Sequence, residues 1–133
     1  MTSLAEQLST YGTNLRYSDL PPETIHLAKR FIIDTIGCGL GGYDSEPSRI
    51  ARDMAGTVTP THPVTVIGSG QQSSLDLATF ANGVMIRFLD FNDGYTSRES
   101  GHPSDSIAAA LSATESVGGS GKRLIASTIL AYE

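Results

Sequence analysis

The sequence has 133 residues, of which 39% are hydrophobic, nine are Lys or Arg and 14 are Asp or Glu, giving a formal net charge of −5. This composition is that of one ordinary globular domain, and its scattered cations exclude the basic surface that would bind nucleic acid or an anionic membrane. A single cysteine, Cys38, excludes an intrachain disulfide, and no apolar run reaches the roughly 18 residues of a membrane span, so we expect a cytoplasmic protein.

Hydrophobic periodicity predicts an all-α chain of six helices with one short extended segment. The first helix is predicted over residues 3–14, with Thr2 or Ser3 as its N-cap. The second begins at Pro21 and Pro22, which suit a first turn, and it carries an apolar stripe to Ile36. We expect this helix to be mostly buried. A third, shorter helix follows from 47 to 54 and ends at Gly56.

The second half of the chain begins with an extended segment at 63–67 and a turn at 68–70. A fourth helix is predicted from Leu75 to near Gly94, and a fifth starts at Ser104 or Asp105. A sixth helix runs from Ser120 to Glu133 without any stop signal. We therefore expect residues 1–133 to be truncated within one domain.

The glycines from Gly37 to Gly42 match G-x-G-x-x-G, the spacing of a dinucleotide-binding turn. That motif binds a pyrophosphate only between a strand and the start of a helix. The residues before Gly37 have helical periodicity, and a chain break follows Gly42. We interpret these glycines as sites of close helix packing and chain reversal, although a strand directly before Gly37 would favour a nicotinamide enzyme.

Two aspartates and a histidine form the best candidate for a catalytic site. Asp90 and Asp93 are predicted at the end of the fourth helix, where their spacing places them on nearly one face, and a polar loop then returns the chain to His102. A histidine oriented by a carboxylate is suited to general acid–base catalysis. From spacing alone, a solvated surface is an equal alternative. A metal site is the weakest interpretation, since tight ligand spacing is absent, and we predict no metal.

The start of the fifth helix would add a positively polarised end to this region. Unpaired N–H groups after Ser104 and Asp105 are suited to a substrate carboxylate. Arg87 and Arg98 are further cations in the same stretch, whereas the other histidines are expected to be structural or exposed. An anionic small molecule is therefore the expected ligand.

The motifs LDFND at 89–93 and GHPSD at 101–105, followed by a small-residue helix, resemble the hallmark region of the MmgE/PrpD family. FIIDTIGCGLGGY, VTVIGSG and FANGVMIRFLDFND agree with that family in the same order, so the resemblance covers essentially the whole chain. The step from Asp90 to His102 is most similar to the 2-methylcitrate dehydratase branch.

The resemblance implies the N-terminal part of an all-helical domain, with the family's separate lid domain absent from these residues. It implies a cofactor-independent lyase of propionate catabolism, a homodimer at full length, that dehydrates a citrate-like tri- or dicarboxylate. The alternatives are a decarboxylase, an epimerase or isomerase, or an inactive fragment that only packs or dimerises.

Matching positions give the candidate site residues. His102, Asp90 and Asp93 are the expected catalytic groups. Gly94 departs from the family, which usually has Thr there, and Ser106 stands where Asn is frequent. The candidates for substrate binding are Asn92, Thr96, Ser104 and Asp105, with Thr96 a candidate replacement for the missing hydroxyl.

Overall fold

The computed structural model describes residues 2–133, which form a mostly helical fold. Its helices are α1 (Leu4–Asn14), α2 (Pro22–Gly41), α3 (Glu46–Ala55), α4 (Leu75–Phe88), α5 (Ile107–Ser116) and α6 (Gly121–Tyr132). Strand β1 (Val64–Thr65) pairs with β2 (Gln72–Ser73), and β3 (Tyr95–Thr96) pairs with β4 (Ser100–Gly101), both antiparallel. The all-α prediction is confirmed, while β2 and the β3–β4 hairpin are additional to the predicted elements.

Capping residues account for where several helices begin. Ser3 and Glu6 form a reciprocal capping box at the start of α1, and the Ser120 side chain accepts from the Arg123 N–H at the start of α6. Pro22 occupies the first turn of α2, where its missing N–H costs nothing. The predicted starts of these three helices are confirmed.

Helix α4 lies at the centre and packs against α2, α3 and α5. The core around it is built largely from small side chains, which allow helices to approach closely. Its buried members are Ala51, Ala55, Val64, Val66, Ala78, Ala81 and Met85. A second cluster of Ala28, Ile125 and Ile129 joins α2 to α6. Helix α5 in turn packs against both α4 and α6.

Asn82 attaches the extended segment to α4. Its side chain is fully buried, accepts from the Ile67 N–H at 2.9 Å and donates to the Thr65 carbonyl at 3.1 Å. Both partners are backbone groups that the two-residue strand leaves unpaired. The amide therefore replaces the missing neighbour of β1.

The glycine motif lies inside a helix, because α2 continues to Gly41 and is capped by Gly42. No strand precedes Gly37 among residues 2–36, so the requirement for a dinucleotide-binding turn is not met. A Cβ at Gly39 would lie 3.3 Å from Ile86, and one at Gly42 would overlap the Met85 carbonyl oxygen. The interpretation as close packing between α2 and α4 is confirmed.

We expect Gly42→Ala to lower the free energy of unfolding by about 1–3 kcal/mol, because α2 and α4 must separate to admit the methyl group. Gly37→Ala is the matched control in the same helix, since a Cβ there has nothing within 4 Å. That substitution is expected to stabilise by about 0.5–1 kcal/mol through helix propensity. Urea unfolding measures both, and equal effects of the two changes would contradict the packing argument.

The prediction that α2 is mostly buried is wrong. Its buried residues are Ala28, Thr35, Cys38 and Gly39, whereas Ile33 is 71% exposed and Leu40 51% exposed. The reason is that α4 and α6 cover one side of α2 only. Among residues 2–133, no helix has the length and apolar character needed to cross a membrane.

Candidate active site

The chain leaves α4 earlier than predicted and turns sharply at Asp90. The helix ends at Phe88 rather than near Gly94, and Asp90 has a φ of 54°, in the left-handed region. Its carboxylate is paired with the Arg87 guanidinium from the last turn of α4. The prediction that Asp90 and Asp93 share one helical face is therefore wrong, because the turn separates them.

His102 has a defined tautomer in this structure. Its Nδ1 lies 2.6 Å from the backbone carbonyl oxygen of Asp93, and a carbonyl oxygen can only accept. Nδ1 must therefore carry the proton, and in the neutral ring Nε2 has a free lone pair. Nε2 lies 3.9 Å from Asp90 Oδ1, and the His102 side chain is 34% exposed. The geometry thus presents a proton-accepting nitrogen beside a carboxylate.

Both carboxylate oxygens of Asp93 are hydrogen-bonded within the chain. Its Oδ1 accepts from the Ser104 N–H at 3.0 Å, and its Oδ2 accepts from the Tyr132 hydroxyl at 2.9 Å. The expected helix start is a 3₁₀ turn over Pro103–Ser106, and α5 begins only at Ile107. The N–H groups after Ser104 are expected to be unpaired and to meet a substrate carboxylate, but the Asp105 N–H donates to the His102 carbonyl at 3.0 Å and the Ile107 N–H donates to the Ser104 carbonyl. That expectation therefore requires correction.

Asn92 is 7% exposed and crosslinks the turn to the start of α5. Its Nδ2 donates to Ser104 Oγ and to Asp105 Oδ1, each at 2.9 Å, and its Oδ1 accepts from Arg87 at 3.3 Å. Ser104 is only 1% exposed. In this geometry Asn92 and Ser104 are hydrogen-bonded to each other, and their direct contact with substrate stays a prediction.

The other two residues predicted to bind substrate, Thr96 and Asp105, are exposed. Thr96 is exposed on β3, where it pairs with Ser100, and is not brought to His102 by a hydrogen bond. Asp105 places Oδ2 3.7 Å from Arg87 Nε and has a side chain that is 47% exposed. A Cβ at Gly94 would meet nothing within 4 Å. A threonine side chain would therefore fit where the family usually has one.

The structure adds Arg87 and Tyr132 to the site. The Arg87 hydrogen bond and charge lower the pKa of the Asp90 carboxyl, and Asp90 in turn raises the pKa of Arg87. Because the folded-state pKa of Asp90 is depressed, this pair stabilises the fold above the ordinary aspartate pKa and loses that contribution as the pH falls below it. Arg87 is visible in the sequence as a nearby cation, whereas Tyr132 lies 39 residues from its partner Asp93.

An open cleft of about 470 Å³ lies on the α2 side of Asp93. Its walls are mainly apolar, and Phe91 is 78% exposed. The cleft is lined by Leu27, Arg30, Phe31, Ile33, Asp34, Phe91 and Asp93. Within residues 2–133, no three His, Cys, Asp or Glu side chains converge as a metal site would require.

Nearly the whole chain is similar to proteins of one known family. The model of the MmgE/PrpD N-terminal domain matches residues 6–133. The 2-methylcitrate dehydratases of Cupriavidus necator and Escherichia coli K12 are 37% identical over 90 residues and 38% identical over 86 residues, covering 66% and 63% of this chain. The human cis-aconitate decarboxylase is 32% identical over 117 residues, 85% of this chain.

The matched segments represent 18% of the length of both dehydratases and 23% of the decarboxylase. No solved structure gives a significant match. The comparison therefore concerns the N-terminal part of these relatives.

Proposed function

The chain belongs to the MmgE/PrpD family, and from this premise we propose that it supplies part of the active site of a lyase that dehydrates a 2-methylcitrate-like tricarboxylic acid. The observation that carries the proposal is the Nδ1–H tautomer of His102, which leaves Nε2 free as a base beside Asp90. The named dehydratases at 37–38% identity support the substrate class.

In the proposed reaction, His102 Nε2 takes a proton from the carbon next to a substrate carboxylate. The electron pair of that C–H bond becomes the new C=C bond, and the bond to the β-hydroxyl breaks. The leaving hydroxide takes up the proton that His102 has gained and departs as water, which returns the imidazole to its neutral form. Asp90 stabilises the imidazolium that forms, because its carboxylate faces the nitrogen that becomes positive.

The roles of the two aspartates differ in this proposal. Asp90 is the solvent-facing carboxylate, with a side chain that is 69% exposed, and it acts in the chemistry. Asp93 acts through position, because its carbonyl sets the His102 tautomer while its carboxylate bonds to Ser104 and Tyr132. Substrate contact by Asn92, Thr96, Ser104 and Asp105 remains a prediction, as do the cytoplasmic location and the homodimer.

We also propose that residues outside 1–133 complete the site. The matched segments span less than a quarter of the relatives' length, and the cleft beside Asp93 is open to solvent. In this proposal the 133-residue chain alone is inactive.

Decarboxylation of cis-aconitate is the second candidate, because the human decarboxylase aligns with a larger share of this chain than the dehydratases do. In that reaction the C–C bond to a carboxylate would break with release of CO₂, and His102, protonated at Nε2, would act as the acid that donates the proton taken up at carbon.

The decisive experiment compares the complete polypeptide that contains residues 1–133 with the isolated chain. Each is supplied with 2-methylcitrate, citrate and cis-aconitate, while alkene formation is followed by ultraviolet absorbance and CO₂ release by trapping. We expect the complete polypeptide to form the alkene from 2-methylcitrate and the isolated chain to be inactive. CO₂ released from cis-aconitate, with no alkene formed from 2-methylcitrate, would establish the second candidate. Turnover by the isolated chain would refute the divided site.

A further inference from the structure

Tyr132 occupies the last turn of α6 and reaches the site from a distant part of the chain. Its hydroxyl donates to Asp93 Oδ2 at 2.9 Å. Its ring stacks on Phe31 of α2, with centroids 5.2 Å apart and planes inclined by 19°. The ring contact fixes where the hydroxyl can lie, so the hydrogen bond is formed with little further loss of side-chain freedom.

Asp93 in turn is held at three atoms. The Ser104 N–H binds Oδ1, Tyr132 binds Oδ2, and the main-chain carbonyl accepts from His102 Nδ1. The first two bonds restrict rotation of the residue whose carbonyl selects the histidine tautomer. Of these, only the bond from Tyr132 comes from an element remote from the loop.

We propose that Tyr132 is a positioning residue that holds Asp93 so that its carbonyl keeps His102 in the Nδ1–H form. The proposal rests on the function proposed above for its catalytic consequence, but its structural content concerns only the chain itself. Tyr132 would thus couple the packing of α6 against α2 to the proton-accepting state of Nε2.

The ionisation state of Tyr132 is compatible with this role. Burial, followed by the hydrogen bond and charge of Asp93, raises the pKa of Tyr132 well above its usual value. The hydroxyl therefore remains a donor throughout the neutral range.

The test uses Tyr132→Phe, which keeps the ring stacked on Phe31 and removes only the hydroxyl. Tyr17→Phe is the matched control, because Tyr17 is also partly buried and packs against the cluster of Ala28, Ile125 and Ile129 that joins α2 to α6. The first readout is the ¹⁵N spectrum of the His102 ring in the 133-residue chain, recorded about two pH units above the ordinary histidine pKa of ~6.5. We expect Tyr132→Phe to populate the Nε2–H tautomer and Tyr17→Phe to leave the spectrum unchanged.

The second readout is turnover in the complete polypeptide. Misplacing the base is expected to lower kcat by about 10- to 100-fold, with KM changing much less because the substrate contacts are retained. In an Asp93→Asn background the same Tyr132 change is expected to add little, since residues acting through one partner are not additive.

The two readouts separate the two proposals. An unchanged His102 spectrum in Tyr132→Phe would overturn the positioning role, whatever the enzyme's substrate. A shifted spectrum in a protein with no lyase activity would support the positioning role and reject the function. If Tyr132→Phe also lowers the melting temperature, the double variant with Asp93→Asn separates positioning from packing. Fully additive losses of kcat in the double variant would show that Tyr132 serves packing alone.

Discussion

Replacing His102 by alanine is expected to lower kcat for 2-methylcitrate dehydration in the complete polypeptide by about 10²- to 10⁴-fold, the usual contribution of a positioned acid–base group. We expect this loss because the Nε2 lone pair beside Asp90 is the proposed proton acceptor, and alanine provides none. Steady-state kinetics with 2-methylcitrate measure it. KM is expected to change much less, because the imidazole acts mainly in the transition state.

His102→Asn distinguishes a chemical role from a structural one. The asparagine Nδ2 can replace Nδ1–H as donor to the Asp93 carbonyl, but it provides no base at the position of Nε2. We expect the asparagine variant to be as inactive as the alanine variant while retaining the fold. His26→Ala, which removes an exposed imidazole from α2, is the matched control. Recovery of turnover in His102→Asn would show that His102 serves structure alone.

The second large effect is expected on stability, from Asn92→Ala. This change removes three hydrogen bonds at once and leaves the buried Ser104 hydroxyl without its donor. Loss of a buried polar partner costs about 1–3 kcal/mol, and we expect the upper part of that range. Urea unfolding of the 133-residue chain measures the difference.

Asn14→Ala provides the comparison, because Asn14 is exposed at the end of α1. Its effect is expected to stay within about 0.5 kcal/mol, as for surface changes elsewhere. If Asn92→Ala were equally mild, the network around Asn92 would contribute little to the fold. The prediction that Asn92 contacts substrate would then be favoured.

The starts of α1, α2 and α6 are predictable because they depend on local chemistry, whereas α5 begins at Ile107 and not at the predicted Ser104 or Asp105. Ser3, Pro22 and Ser120 each supply the cap or geometry that a first turn needs, and each lies where the sequence predicts. The end of α4 is different. Leu89 and Phe91 continue an apolar pattern beyond the last helical residue, while the pairing of Asp90 with Arg87 stops the helix through a turn that local propensity does not reveal.

The sequence predicts which residues belong to the candidate site, but it does not predict which of them face solvent and which hold the protein in position. The spacing of Asp90, Asp93 and His102 indicates that they lie close together, and the structure places all three in one network of polar contacts. Whether a carboxylate faces solvent or its own chain depends on contacts between remote elements. Tyr132 shows this most clearly, since its partner lies 39 residues away and its ring is placed by α2.

The left-handed backbone at Asp90 restricts which sequences can form this turn. Among described non-glycine residues, Asp90 alone has a positive φ, a conformation that costs most side chains about 1–2 kcal/mol and that aspartate and asparagine tolerate best. Glutamate keeps the charge but lacks the short side chain that bonds back to the local backbone. Evolution of this turn is thus confined to very few residue types, and of these only aspartate retains a carboxylate beside His102.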